Sequence, residues 1–132
     1  MISENDSLNV AVNAKANAYA PYSKFYVGAA VETKNGKVFA GCNVENASFG
    51  LTICAERAAI CAAIAAGEKD FSRIIVASSS DYPVSPCGAC RQMLSEFSPG
   101  IDIIMVGKNT ISRSKLSKLM PDPFNMRMSL GA

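Results

Sequence analysis

No histidine and no tryptophan occur among the 132 residues of this chain. Without an imidazole, every mechanism built on a histidine base or a histidine metal ligand is excluded, so neither a Ser-His-Asp nor a Cys-His hydrolase can be assembled here. The missing Trp excludes nothing by itself. A charge surplus is lacking too: 13 Lys and Arg against 11 Asp and Glu leave a net +2, with no block of like charge. A protein that lives on phosphate contacts would carry a stronger basic excess, so no nucleic-acid partner is expected. The longest apolar run, residues 58–66, is far too short to span a bilayer, and no membrane partner is expected. No basic stretch followed by an apolar one opens the chain, which makes the cytoplasm the expected compartment.

What is present suffices for one packed core. The chain is 49% hydrophobic and 18% charged, and its length suits a single domain over residues 1–132. Five cysteines are an odd number, a poor basis for a complete disulfide framework. Thiolate chemistry or metal binding is the better starting expectation.

Leu8, Val12 and small alanines at helical spacing predict an amphipathic helix over 7–19. Residues 25–33 and 38–44 read as strands joined at Asn35-Gly36, a pair that suits a tight hairpin turn with φ > 0 at both central positions. The segment 52–66 is apolar on nearly all sides and predicts a buried helix with Cys61 in the core. A third strand follows over 73–79. Ser85 as N-cap and Pro86 as first helical residue then predict a helix running to Phe97. A fourth strand is expected over 101–106 and a short helix over 112–120. This order describes an α/β fold with a mixed sheet between helices, its later strands parallel.

Cys87-Gly88-Ala89-Cys90 opens a predicted helix and allows three readings: a redox dithiol, part of a closed zinc site, or part of a catalytic zinc site with an open position. Cys54-Ala55-Glu56, also in the first turn of a predicted helix, decides between them. Three thiolates leave the fourth position to water, and Glu56 stands where a carboxylate could relay that water's proton. Cys42 ends a strand and Cys61 lies on the alanine-rich helix, so neither is chosen as a ligand; a fourth thiolate would close the site and abolish catalysis.

Cys54-Ala55-Glu56 together with Pro86-Cys87-Gly88-Ala89-Cys90-Arg91-Gln92 resembles the zinc signature of the cytidine deaminase family. The stretch from Ala20-Pro21-Tyr22-Ser23-Lys24-Phe25 to Ala30 is similar to the N-terminal segment of its small homotetrameric members. Gly41-Cys42-Asn43-Val44-Glu45-Asn46-Ala47 is similar to their ribose-binding segment. The resemblance implies a three-layer α/β/α fold with a mixed sheet of about five strands, and one Zn²⁺ per subunit. The implied reaction is hydrolytic deamination of cytidine and deoxycytidine to uridine and deoxyuridine plus ammonia, in pyrimidine salvage. It implies Cys54, Cys87 and Cys90 as zinc ligands and Glu56 as the catalytic proton shuttle. Phe25 would stack on the base, Asn43 and Glu45 would bind the ribose hydroxyls, and the Ala55 N–H would meet the base O2. Phe124 would close the pocket of a neighbouring subunit in a tetramer.

Three thiolates around Zn²⁺ sum to −1, which weakens the metal as a Lewis acid; Arg57, directly after Glu56, is placed to withdraw that charge by donating to the sulfurs. The Glu45 carboxylate would repel a phosphate, which favours nucleosides over nucleotides and polynucleotides. The chain departs from the family pattern at Phe49, where Tyr is common, at Pro123, and in the short connection 106–119, where the last strand would be abbreviated. The rival readings are a deaminase of another cytosine nucleoside, such as the blasticidin type, a zinc module without catalysis, and a nucleic-acid editing deaminase, which the near-neutral charge and Glu45 disfavour.

Overall fold

The computed structural model describes residues 2–126. Helix α1 covers Glu4–Lys15 rather than 7–19. Its start is set by a capping box in which Ser3 Oγ accepts from the Asp6 N–H (3.1 Å) and the Asp6 carboxylate accepts from the Ser3 N–H (3.2 Å). Strands β1 (Val27–Thr33) and β2 (Val38–Cys42) form the antiparallel hairpin. Its turn differs from the predicted one. Only Gly36 has positive φ (88°), the Gly36 N–H donates to Thr33 O and the Thr33 N–H to Lys37 O, which makes a three-residue loop with a glycine bulge.

Helix α2 (Ala55–Ala65), strand β3 (Phe71–Ser78), helix α3 (Gly88–Phe97), strand β4 (Asp102–Val106), strand β5 (Ile111–Lys115) and the single turn α4 (Leu116–Leu119) complete the order. The sheet runs β2-β1-β3-β4-β5. Of its neighbours only β3 and β4 are parallel; β1 with β3 and β4 with β5 are antiparallel. The helix predicted over 112–120 is strand up to Lys115 and helix only over Leu116–Leu119, and the parallel expectation holds for one pair alone. The misreading has a physical cause. β5 is an exposed edge that buries almost nothing, so it carries no apolar alternation. It carries charge instead, as edge strands do: Arg113 pairs with Glu4 (2.5 Å) and Lys115 with Asp102 (2.7 Å).

Side chains alternate between the two faces of the sheet. Ala29, Val31, Ile74, Val76, Ile103 and Met105 face α2, α3 and α4, whereas Ala30, Ile75, Ala77 and Ile104 face α1. The three-layer expectation is met. Two glycines let helices reach the sheet backbone: a Cβ on Gly28 would lie 2.0 Å from Ala11 O on α1, and one on Gly41 would lie 2.4 Å from Ala55 O and Ala59 N on α2. Among the described residues nothing covers the outer face of α2. Cys61, Ala62 and Ala65 are exposed, so Cys61 is not a core residue as the all-round apolar pattern suggests. Among the described residues no helix is long and apolar enough to cross a membrane.

Because Gly41 sets the seat of the α2 N-terminus, Gly41→Ala is expected to cost about 1–3 kcal/mol in urea unfolding. Gly100→Ala, where a Cβ meets nothing within 4 Å, should stay within about 0.5 kcal/mol of the parent.

Candidate active site and metal centre

The site lies where α2 and α3 begin. Cys54 is the N-cap of α2 (φ −76°, ψ 152°) and Cys87 the N-cap of α3 (φ −67°, ψ 168°). Ser85 and Pro86 thus precede α3 instead of starting it. Ser85 is occupied elsewhere: its Oγ accepts from Arg91 Nη2 (2.7 Å), while Arg91 Nε donates to Pro86 O (2.8 Å) and Nη1 to Leu119 O (3.1 Å). Neither cysteine side chain caps its own helix, so both sulfurs stay free beside first-turn N–H groups that have no intrahelical partner.

Cys54 Sγ lies 3.9 Å from Cys87 Sγ, which lies 3.5 Å from Cys90 Sγ, and all three fall within 4.8 Å of one another. Thiolates on a tetrahedral zinc at 2.3 Å stand about 3.8 Å apart. The donor set fits zinc in both chemistry and spacing. Cys42 and Cys61 lie outside the cluster, so among the described residues no fourth thiolate closes it. Hydrogen bonding from Cys90, reinforced by Arg57 and Cys87 and opposed by burial, holds the Cys54 thiol down to about 5. Cys90 moves the opposite way, through that same bond and its burial. Arg57 reaches Cys54 Sγ (3.5 Å) and Thr52 O (3.3 Å) through Nη2, and its buried Nε has no hydrogen-bond partner among the described residues. The guanidinium therefore sits beside the sulfurs with donor capacity to spare.

Glu56 follows at the second position of α2 and is only 5% exposed. Burial pushes its carboxyl above the ordinary range, against the pull of its own backbone N–H. A carboxyl so poised can give a proton as well as take one.

Glu56, Cys54, Cys87 and Ala55 open on a cavity of about 350 Å³ that Phe25, Asn43 and Glu45 also line. These come from four separate segments, three of which meet at Val44. Val44 exchanges both backbone hydrogen bonds with Ile53, the residue before Cys54, while Tyr19 N–H donates to Asn43 O and Glu45 N–H to Tyr19 O. The Asn43 side chain brackets the Phe25 segment: Nδ2 donates to Phe25 O (2.8 Å) and Oδ1 accepts from the Val27 N–H (2.9 Å). The Glu45 carboxylate is bound by Tyr22 and Ser23, and Ser23 first of all holds it below the usual carboxylate range.

Phe124 stands apart. It is 64% exposed and does not line this cavity; its backbone N–H and C=O are both taken by the Gln92 amide (3.1 and 2.8 Å). Phe49, also exposed, meets Tyr22 edge-on at 6.0 Å between ring centres. Sequence reasoning quoted Ser23 and Arg91 inside motifs but gave neither a task. For Arg91 the available signal was its place four residues after Cys87, one helical turn on.

Three clustered cysteine sulfurs, two of them at the cavity that the buried Glu56 carboxyl also lines, on a mixed sheet flanked by helices, mark a metal-dependent hydrolase. The family described as the cytidine and deoxycytidylate deaminase zinc-binding region matches residues 1–108. A cytidine deaminase of Halalkalibacterium halodurans is 44% identical over 116 residues, covering 86% of this chain and 88% of that protein. A probable cytidine deaminase of Dictyostelium discoideum is 44% identical over 119 residues, covering 89% and 81%. The crystal structure of a Burkholderia pseudomallei cytidine deaminase superposes with a TM-score of 0.89 at 42% identity, over 93% of this chain and 100% of that one. The chain belongs to the zinc-binding cytidine and deoxycytidylate deaminase family.

Arg91 ties the segment ahead of Cys87 to the end of α4. Arg91→Ala is expected to lower stability by about 1–3 kcal/mol in urea unfolding, because it strands Pro86 O and Leu119 O. Arg91→Lys, without the planar fork, should recover less than half of that loss.

Proposed function

We propose that this cavity hydrolyses cytidine and deoxycytidine to uridine and deoxyuridine with release of ammonia, serving pyrimidine salvage. The observation that carries the reading is the opening of Glu56 and the thiolate cluster on the same cavity as Phe25, Asn43 and Glu45. Cys54, Cys87 and Cys90 hold zinc, one ion per chain. When bound, zinc supplies a water nucleophile activated at neutral pH. Glu56 takes one proton from that water and delivers it to N3 of the pyrimidine, then takes the second from the hydroxyl left on C4 and delivers it to the departing amine. The Ala55 N–H, free at the first turn of α2, meets the base O2. Phe25 stacks on the ring, and Asn43 and Glu45 receive the sugar hydroxyls. Arg57 withdraws charge from the sulfurs.

The family takes in both nucleoside and nucleotide deaminases. Glu45 supports the nucleoside: a carboxylate held ionised at the sugar end of the cavity repels a 5′-phosphate. Residues 1–132 act as one domain, placed in the cytoplasm, where reduced thiols persist. We assign a homotetramer in which Phe124 closes a neighbour's cavity. In support, Phe124 is exposed on a backbone clasped by Gln92, and the outer face of α2 is apolar and exposed among the described residues.

Glu56→Gln, assayed by ultraviolet-monitored loss of cytidine, should retain one zinc per chain and lower kcat by about 10²–10⁴-fold. Activity within a few fold of the parent would remove Glu56 from the proton path.

A further inference from the structure

We propose that Ser23 is a positioning residue for sugar recognition, its hydroxyl aiming the Glu45 carboxylate into the cavity. The inference rests on the reading that Glu45 meets the sugar hydroxyls. Glu45 Oε1 accepts two backbone N–H bonds, from Tyr22 (3.1 Å) and Ser23 (3.2 Å), which fill both of its lone pairs. Oε2 accepts from the Ser23 hydroxyl. That bond leaves Oε2 with one acceptor site, the carboxylate's remaining place for a ligand hydroxyl. Ser23 thereby fixes the rotation of the carboxylate and the direction of its free lone pair.

The same oxygen has a second bond. Ser23 Oγ accepts from the Phe25 N–H (3.0 Å), so one hydroxyl links the sugar end of the cavity to the backbone of the ring-stacking residue. Between the two lies Lys24, the one non-glycine among the described residues with positive φ (60°). Side-chain-bearing residues adopt that conformation at a cost, and here it turns Ser23 and Phe25 toward the same side. The segment is solvent-exposed at Ser23 and Lys24, and its ring contact is that of Tyr22 with Phe49. Its geometry depends on the Glu45 bonds, the Asn43 bracket and the Lys24 N–H bond to Ala20 O (3.0 Å).

The test compares cytidine with 2′,3′-dideoxycytidine, which keeps the base and lacks both sugar hydroxyls. Ser23→Ala should raise KM for cytidine roughly tenfold with kcat within about twofold, as for loss of one charge-assisted hydrogen bond. For the dideoxy substrate KM should rise less than about threefold, because only the Phe25 contact is disturbed. Ser23→Thr, which keeps the hydroxyl, should restore discrimination between the two substrates, and zinc content should stay at one per chain throughout. An equal rise on both substrates, or none, overturns the proposal. Glu45→Gln separates the two failures. If it penalises both substrates alike, the reading of Glu45 as the sugar contact falls; if it penalises cytidine alone while Ser23→Ala does not, only the role of Ser23 falls.

Discussion

Three sulfurs from two helices must stand within 4.8 Å of one another although Cys54 and Cys87 are 33 residues apart. Nearly everything else in the fold serves that convergence. The sheet sets α2 and α3 side by side on one face, Gly41 lets α2 settle on the backbone of β2, and Arg91 fixes the chain entering α3. Placing cysteines at N-cap positions is an unusual choice for helix stability, since Ser, Thr, Asp or Asn would cap better. The loss is offset by chemistry: a sulfur that does not bond its own helix remains available to a metal, and the uncapped N–H groups favour its anionic form.

The substrate side is organised around Val44 in the same economical way. Its bridges to Ile53 and Tyr19 place Asn43 and Glu45 next to the start of α2, while their side chains hold the 22–27 segment. On the proposed reading these two residues act on the fold and on the ligand at once. Removing either would loosen the Phe25 segment as well as delete the proposed sugar contact, so the two effects have to be separated by substrate analogues.

The chemistry was legible in the sequence because zinc tolerates few ligand types and the chain offers no histidine. Cys54 and Cys87-x-x-Cys90 each open a predicted helix and resemble a known zinc signature, which sets them apart from Cys42 and Cys61, and theirs is the cluster that the fold assembles. The element order was legible from apolar periodicity. Boundaries failed where a better-known signal masked the working one: Ser85-Pro86 imitates a helix start, but Ser85 is engaged by Arg91 and the cap is Cys87. β5 was expected only from the family resemblance and not from the residue pattern, because an edge strand buries little, and the hairpin turn was misread because Asn35-Gly36 serves a three-residue loop as readily as a two-residue one. The role of Ser23 was out of reach. It depends on Glu45, 22 residues away, and on the turn at Lys24.

Dependence of catalysis on the thiolate-held metal is the central claim, and zinc reconstitution tests it most directly. Zinc-stripped protein is reloaded in steps to one equivalent per chain, and cytidine conversion is followed at each step by its ultraviolet absorbance. The account predicts a rate that rises in proportion to bound zinc and stops rising at one equivalent. Turnover indifferent to zinc, or fully loaded protein that leaves cytidine unchanged, would contradict it.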